Sequence, residues 1–308
     1  MMNSVIRTED ISKHYGKLKA VDKVSINVGK GEIYGFLGLN GAGKTTTIRM
    51  LLGLIRLSSG KAYLNGEQIN PDNSEMWEKV GYLVEVPYSY PDLTVSENLD
   101  IIRKLRLIGD TGSVGKIIKL MKLESYTGVK ARNLSLGNAQ RLGLAKALIH
   151  NPEILILDEP ANGLDPAGIV EIREMLTDLA VNRGVTILIS SHILGEISRF
   201  ATRIGIIHDG ILLHESSVDE MEAMRKNYLQ VNADDINGTQ AALKEKGYDA
   251  ILDDEGFLEV TGKDAIENPG EIAVLLVNSG FPPTTLKVQE EDLEGFFLRM
   301  IRMKGGIK

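Results

Sequence analysis

The octapeptide GLNGAGKT, residues 38–45, constrains this chain more than any other feature. It fits the pattern GxxxxGK[ST], in which glycines let backbone N–H groups turn inward around phosphate oxygens while the lysine adds a cation. Gly38, Leu39, Asn40, Gly41, Ala42 and Gly43 would form the cradle, Lys44 would reach the β- and γ-phosphates, and the Thr45 hydroxyl is suited to Mg²⁺. Such a loop works only between a strand and a helix. Here the apolar run EIYGFLG precedes it and TTTIRMLLGLI follows, with Thr46 in the first turn and Ile48, Leu51, Leu52 and Ile55 on one helical face. The loop therefore predicts an α/β sheet with a nucleotide at the carboxyl edge of its strands.

A second dense apolar run, ILILDEP (154–160), ends in two carboxylates. In a sheet that carries a phosphate loop, Asp158 at the strand end is placed to hold Mg²⁺. Glu159, one residue on, points differently and can polarise a water for in-line attack on a γ-phosphate. Runs this dense mark strands covered on both faces, whereas VSINV (24–28) alternates like a half-buried strand. The spacing of Ile169, Ile172, Leu176 and Leu179 predicts a helix over GIVEIREMLTDLA, and RIGIIHDGILLHE predicts a hairpin turning at Asp209 and Gly210.

Residues from about 88 to 150 are mostly helical in pattern and form an insertion in the α/β core. From residue 228 the order becomes strand (228–232), helix (237–247), strand (249–253), strand (257–261), helix (270–279), strand (284–289) and helix (291–303). The first six elements have the ferredoxin-like order βαββαβ. The expected division is thus a nucleotide-binding domain over 1–227 and a small α+β domain over 228–308.

Composition narrows the partners. There is no cysteine, the start MMNSVIRTEDISKHYGK lacks the apolar core of a signal peptide, and no run approaches the roughly 20 apolar residues of a membrane span. Any work at a membrane would need another chain to do the spanning. Residues 231–308 hold 15 acidic and 8 basic side chains, while the first 230 residues hold 27 of each. With no concentrated basic block, nucleic acid is not an expected partner.

Taken in order, these motifs resemble the nucleotide-binding subunit of an ABC transporter over roughly residues 4–228. HYG puts Tyr15 where that family stacks an aromatic ring on adenine. GLNGAGKTT is similar to the Walker A loop and ILILDEP to Walker B. NGLDP resembles the D-loop with Asp165, and SSH the switch with His192, which in the family senses the γ-phosphate. LSLGNAQRLGLAKAL (134–148) resembles the ABC signature, usually written LSGGQ, with Ser135 and Gly137 kept, Leu136 in place of the first glycine and Asn138 in place of the glutamine. In the Q-loop, GYLVEVP offers Glu85 where the family usually has glutamine; it would still reach Mg²⁺ or its water while adding a negative charge.

The resemblance implies a P-loop, RecA-like core with an antiparallel β subdomain and an inserted helical subdomain, and ATP and Mg²⁺ as cofactors. Glu159 and His192 would be catalytic, and Thr45, Asp158 and Glu85 would face the metal. Ser135 can cap the helix that follows it, and that helix start then favours a phosphate. In the family this phosphate belongs to ATP on a second copy or a homologous ATPase subunit, so a head-to-tail pair is implied. The pair would drive a separately encoded integral membrane permease from the cytoplasmic face.

GFLGLNGAGKTTTIRMLLGLI, SSHILGEI and DLEGFFL are most similar to ATPases of bacitracin- and lantibiotic-type exporters, which implies export of a peptide antibiotic or other drug-like compound. Two other classes stand beside this. A soluble ABC ATPase of translation or DNA repair is opposed by the single nucleotide-binding unit and the lack of a basic patch or long coiled-coil insertion. A nonhydrolysing nucleotide-binding regulator is opposed by the presence of Glu159 and His192. His14, His150, His208 and His214 read as surface or strand-end residues, and the terminal domain either regulates or steadies the pair or is a packing appendage.

Overall fold

The computed structural model describes residues 4–85, 87–253 and 255–305, with side chains to residue 301. Residues 1–3 and 306–308, at the ends of the two expected domains, lie outside the described residues. Two compact units emerge, Met1–Val218 with Met300–Lys308, and Asp219–Arg299.

The first unit begins with β1 (Ser4–Tyr15), β2 (Leu18–Val24), β3 (Asn27–Gly29) and β4 (Ile33–Leu37), followed by α1 (Lys44–Leu51), β5 (Ser59–Leu64), β6 (Glu67–Gln68), α2 (Ser74–Glu78) and β7 (Val80–Leu83). The helical insertion comprises α3 (Val95–Leu105), α4 (Ser113–Leu120) and α5 (Leu136–Leu148). Then come β8 (Ile154–Asp158), α6 (Pro166–Arg183), β9 (Thr186–Ser191), α7 (Leu194–Ile197), β10 (Arg203–His208) and β11 (Ile211–Ser217).

β1, β2, β3, β5 and β6 form an antiparallel sheet, and the second sheet runs β11-β10-β4-β9-β8-β7. All its pairings are parallel except the β10–β11 hairpin, which turns at Asp209 (φ 47°) and Gly210 (φ 77°). Every residue of β4, β8 and β9 is buried, which is why their middles are apolar runs rather than alternating ones; the buried polar residues, Asp158, Thr186, Ser190 and Ser191, stand at the strand ends.

Two expectations change in detail. VSINV is not one strand: β2 stops at Val24 and β3 starts at Asn27. Burial still alternates, but the Thr8 hydroxyl accepts from the Ile26 N–H at 2.8 Å and donates to the Val24 carbonyl at 3.0 Å, replacing a ladder step. The helix after the phosphate loop ends at Leu51, because Gly53 turns the chain at φ 65°; Ile55 lies beyond it yet packs on the same core as Ile48, Leu51 and Leu52.

His150 is half-buried rather than on the surface. Its Nε2 lies 3.1 Å from the Val80 carbonyl, and its Nδ1 is buried with no partner among the described residues. Burial first, and the nearby Arg106 guanidinium second, push its pKa down to about 4. An unfolded histidine titrates near 6.5, so between these values the unfolded chain binds more protons and folding weakens as pH falls. Urea denaturation across that window should show the loss, and His150→Gln should flatten it.

Along the second unit α8 (Val218–Ala223) leads to β12 (Asn227–Ala233), α9 (Ile236–Glu245), β13 (Asp249–Leu252), β14 (Leu258–Thr261), α10 (Lys263–Glu267), α11 (Pro269–Asn278) and β15 (Pro283–Glu290); α12 (Leu293–Gly305) begins in this unit, and its residues from Met300 belong to the first. Its antiparallel sheet runs β13-β14-β12-β15 over a core that includes Leu229, Val231, Leu243, Val260, Ile272 and Leu276. The helix expected over 270–279 is α11, and a short helix not anticipated, α10, precedes it; Pro269 separates the two, since it cannot donate to the preceding turn and starts α11 afresh. Among the described residues no helix is long and apolar enough to cross a membrane.

Candidate functional site

The site grows from the carboxyl ends of three central strands. Leu37 pairs with Ser191 and Asp158 with Ser190, so the segments leaving β4, β8 and β9 start at one level of the sheet. Between β4 and α1 the loop from Gly38 to Gly43 turns tightly. A β-carbon placed on Gly38 would lie 2.5 Å from the Ile207 carbonyl oxygen, and one on Gly43, at φ 110°, 2.7 Å from that of Ala20. Only glycine fits at either position. α1 then starts without a side-chain cap, leaving its first N–H groups and positive dipole end for an anion.

Lys44 is buried, and its ammonium donates to the Gly38 carbonyl at 2.6 Å and lies 3.2 Å from Glu159 Oε1. The Thr45 hydroxyl donates to Asp158 Oδ2 at 2.7 Å. A cleft of about 510 Å³ is lined by Tyr15, Leu39 to Thr46 and Glu159, together with Lys19, Ala20 and the Asp209–Gly210 turn. Tyr15 is 49% exposed, and the Lys13 ammonium sits 5.1 Å from its ring centroid.

Asp158 is buried at the end of β8, where the Ser190 hydroxyl donates to its Oδ1 at 2.5 Å. That hydroxyl also accepts from the Glu159 N–H at 3.0 Å. Glu159 itself adopts φ 49°, which turns its carboxylate away from that of Asp158. The turn sets Glu159 Oε1 toward Lys44 and Oε2 2.9 Å from His192 Nδ1. With the carboxylate as acceptor, Nδ1 carries the imidazole proton. Glu159 is therefore a carboxylate held between a cation and a histidine.

Among the described residues no cluster of three or more His, Asp or Glu forms a cage for a cation. Thr45 and Asp158 offer one hydroxyl and one carboxylate, both hard oxygen donors. That small protein share fits Mg²⁺, which takes one or two carboxylates and completes its octahedron with phosphates and water. Glu85 does not join them. It is absent from the lining of the cleft, and its carboxylate is held in an ion pair by the Arg49 guanidinium.

The signature residues lie apart from this cleft as well. The Ser135 hydroxyl caps α5 by accepting from the Asn138 N–H at 3.3 Å, and none of Ser135, Leu136, Gly137 and Asn138 lines the cleft. Leu136 is 61% exposed, and the inner side of its side chain rests on the D-loop: a β-carbon placed on Gly163 would meet Leu136 Cγ at 2.4 Å. Gly137 packs there too, its missing β-carbon 3.2 Å from the Gly163 carbonyl oxygen. Asp165, in the same loop, caps α6 by accepting from the Gly168 N–H at 2.9 Å.

Sequence reasoning missed three side chains here. Ser190 orders both Asp158 and Glu159, Gln140 is buried and donates to the Glu159 carbonyl at 3.4 Å, and Arg49 holds Glu85. The doubled serine of SSH was the available signal for Ser190.

Comparisons with known proteins agree on one family. A family profile described as ABC transporter matches residues 21–162. The chain is 41% identical to the bacitracin transport ATP-binding protein BcrA of Bacillus licheniformis over 302 residues, spanning 97% of this chain and 98% of that relative. It is 34% identical to the lantibiotic transport ATP-binding protein SrtF of Streptococcus pyogenes over 222 residues, 72% of this chain and 95% of the relative. Among solved structures, an ATP-binding subunit of an ABC transporter matches with a TM-score of 0.65 at 26% identity, covering 71% of this chain and 92% of the other. A dimeric, post-hydrolysis ATP-binding cassette, MJ0796 bound to ADP and Pi, matches with a TM-score of 0.64 at 25% identity, covering 69% and 98%.

Proposed function

The chain belongs to the ABC transporter family as an ATP-binding and ATP-hydrolysing subunit, and on that premise we propose that it works with Mg²⁺ as a head-to-tail dimer that drives a separate membrane permease exporting a bacitracin-like peptide antibiotic. The observation that carries the catalytic assignment is the placement of Glu159 between Lys44 and His192 at the mouth of the phosphate loop. The division into a nucleotide-binding domain over 1–227 and an accessory domain over 228–308, and the role of each site residue, are parts of the same proposal.

Lys44, now on the Gly38 carbonyl, turns its ammonium to the β- and γ-phosphates when a nucleotide fills the loop. Glu159 accepts a proton from the attacking water, and His192 fixes the orientation of that carboxylate. Mg²⁺, held by Thr45 and Asp158, would neutralise charge developing on the phosphates. Ser190 keeps Asp158 and Glu159 at their separate angles.

Dimerisation follows from the signature. The start of α5 is a capped, exposed helix N-terminus outside its own subunit's cleft, so the phosphate it suits must come from another subunit. The MJ0796 relative is described as dimeric, in keeping with this reading. For the permease, we assign a separate cleft of about 600 Å³ lined by Tyr82, Leu83, Tyr88, Tyr90, Leu105 and Lys146 among others. Tyr88 is 74% exposed and Leu105 71%, an amphipathic surface of the kind that anchors a partner at the cytoplasmic face of a membrane.

Export is supported by the likeness to BcrA, which extends over nearly the whole of both chains. Expressing this chain with its permease, to be sought among membrane proteins encoded near it, should raise the bacitracin concentration tolerated by a sensitive host several-fold. Omitting either partner should remove the gain. Equal sensitivity with and without the pair would refute peptide export while leaving ATP hydrolysis untouched.

A further inference from the structure

Glu85 stands where the resemblance led to a neutral glutamine, and the structure supplies what compensates it. Leu83 on β7 pairs with Leu157 on β8, so Glu85, two residues further on, emerges at the level of Glu159 on the carboxyl edge of the sheet. A free carboxylate at that edge would add a third negative charge beside Asp158 and Glu159. Arg49 prevents this. It lies one turn after Thr45 on α1, and its guanidinium pairs with the Glu85 carboxylate. Glu85 also takes a left-handed backbone at φ 57°, a conformation that a non-glycine residue keeps only where its surroundings hold it.

We propose that Arg49 is a positioning residue for the nucleotide site, holding the Glu85 carboxylate away from the metal and phosphates until the pair separates. The inference rests on the reading of the Thr45–Asp158 cleft as the Mg·ATP site. It differs from a general charge effect in one respect: Arg49 matters only while residue 85 is a glutamate. A guanidinium acting through space would influence the cleft whatever stood at 85.

The test is binding of a fluorescent ATP analogue to the purified full chain, titrated with Mg²⁺, for wild type, Arg49→Ala, Glu85→Gln and the double variant. Arg49→Ala should lower the Mg²⁺ needed for half-maximal binding by roughly tenfold, because a freed carboxylate joins the cation site. In the Glu85→Gln background the same substitution should leave the Mg²⁺ requirement unchanged, and Arg49→Lys should behave like wild type. Both side chains are substantially exposed, so thermal melting should show all five proteins folded. Equal shifts in the two backgrounds would overturn the inference alone. Wild-type chain that shows no Mg²⁺-dependent nucleotide binding would overturn it together with the reading of the cleft.

Discussion

Glu159→Gln lowers ATP turnover by roughly 10²- to 10⁴-fold while nucleotide binding persists, the span expected when a positioned general base is removed. The substitution keeps the shape of the side chain and the contact with His192, but an amide cannot accept the proton that the attacking water must lose. It also removes the negative charge now 3.2 Å from the Lys44 ammonium, so the lysine is released to the phosphates and ATP affinity holds or rises. Under the proposed mechanism the variant accumulates as an ATP-bound dimer. Phosphate release measures the first effect, and size-exclusion chromatography with and without Mg·ATP measures the second. Wild-type turnover in the variant would remove Glu159 from the role of base.

The second large effect separates a composite site from a self-contained one. Ser135→Arg abolishes hydrolysis yet leaves ATP binding by the single subunit intact, because no signature residue lines its own cleft. The change removes the cap on α5, worth about 1 kcal/mol, and sets a bulky cation over a helix start that favours anions. Loss of activity alone would not show where Ser135 acts. A mixture of Ser135→Arg with Lys44→Ala does. Each variant is inactive alone, but a head-to-tail pair of the two has one site with both an intact Lys44 and an intact Ser135, so mixing restores part of the turnover. A site built within one subunit would give no recovery.

What could be read from the residue order, and what could not, divides along physical lines. The phosphate loop, the strand ending in Asp158 and Glu159, and the cap at Ser135 are local patterns whose spacing alone dictates geometry. The Asp209–Gly210 hairpin belongs with them, since its turn needs two residues at positive φ. Ser190 was invisible because its contact with Asp158 depends on the register of β8 against β9, residues 32 apart in the chain. Arg49 and Glu85 are 36 apart and meet only once α1 and β7 are both in place. The break in VSINV came from Thr8 on another strand, and the burial of His150 from its place against β7. The helix after Pro269 was legible locally, whereas α10 before it is only five residues long, too short for a helical repeat to show.

The seating of Leu136 on Gly163 also ties two loops into one unit of variation. A side chain at 163 and leucine at 136 would occupy the same space, and Gly163 already holds a backbone at φ 79° that favours glycine, so substitutions at the two positions should not be additive. A change at either position is felt at the joint between the helix start at Ser135 and the loop that carries Asp165.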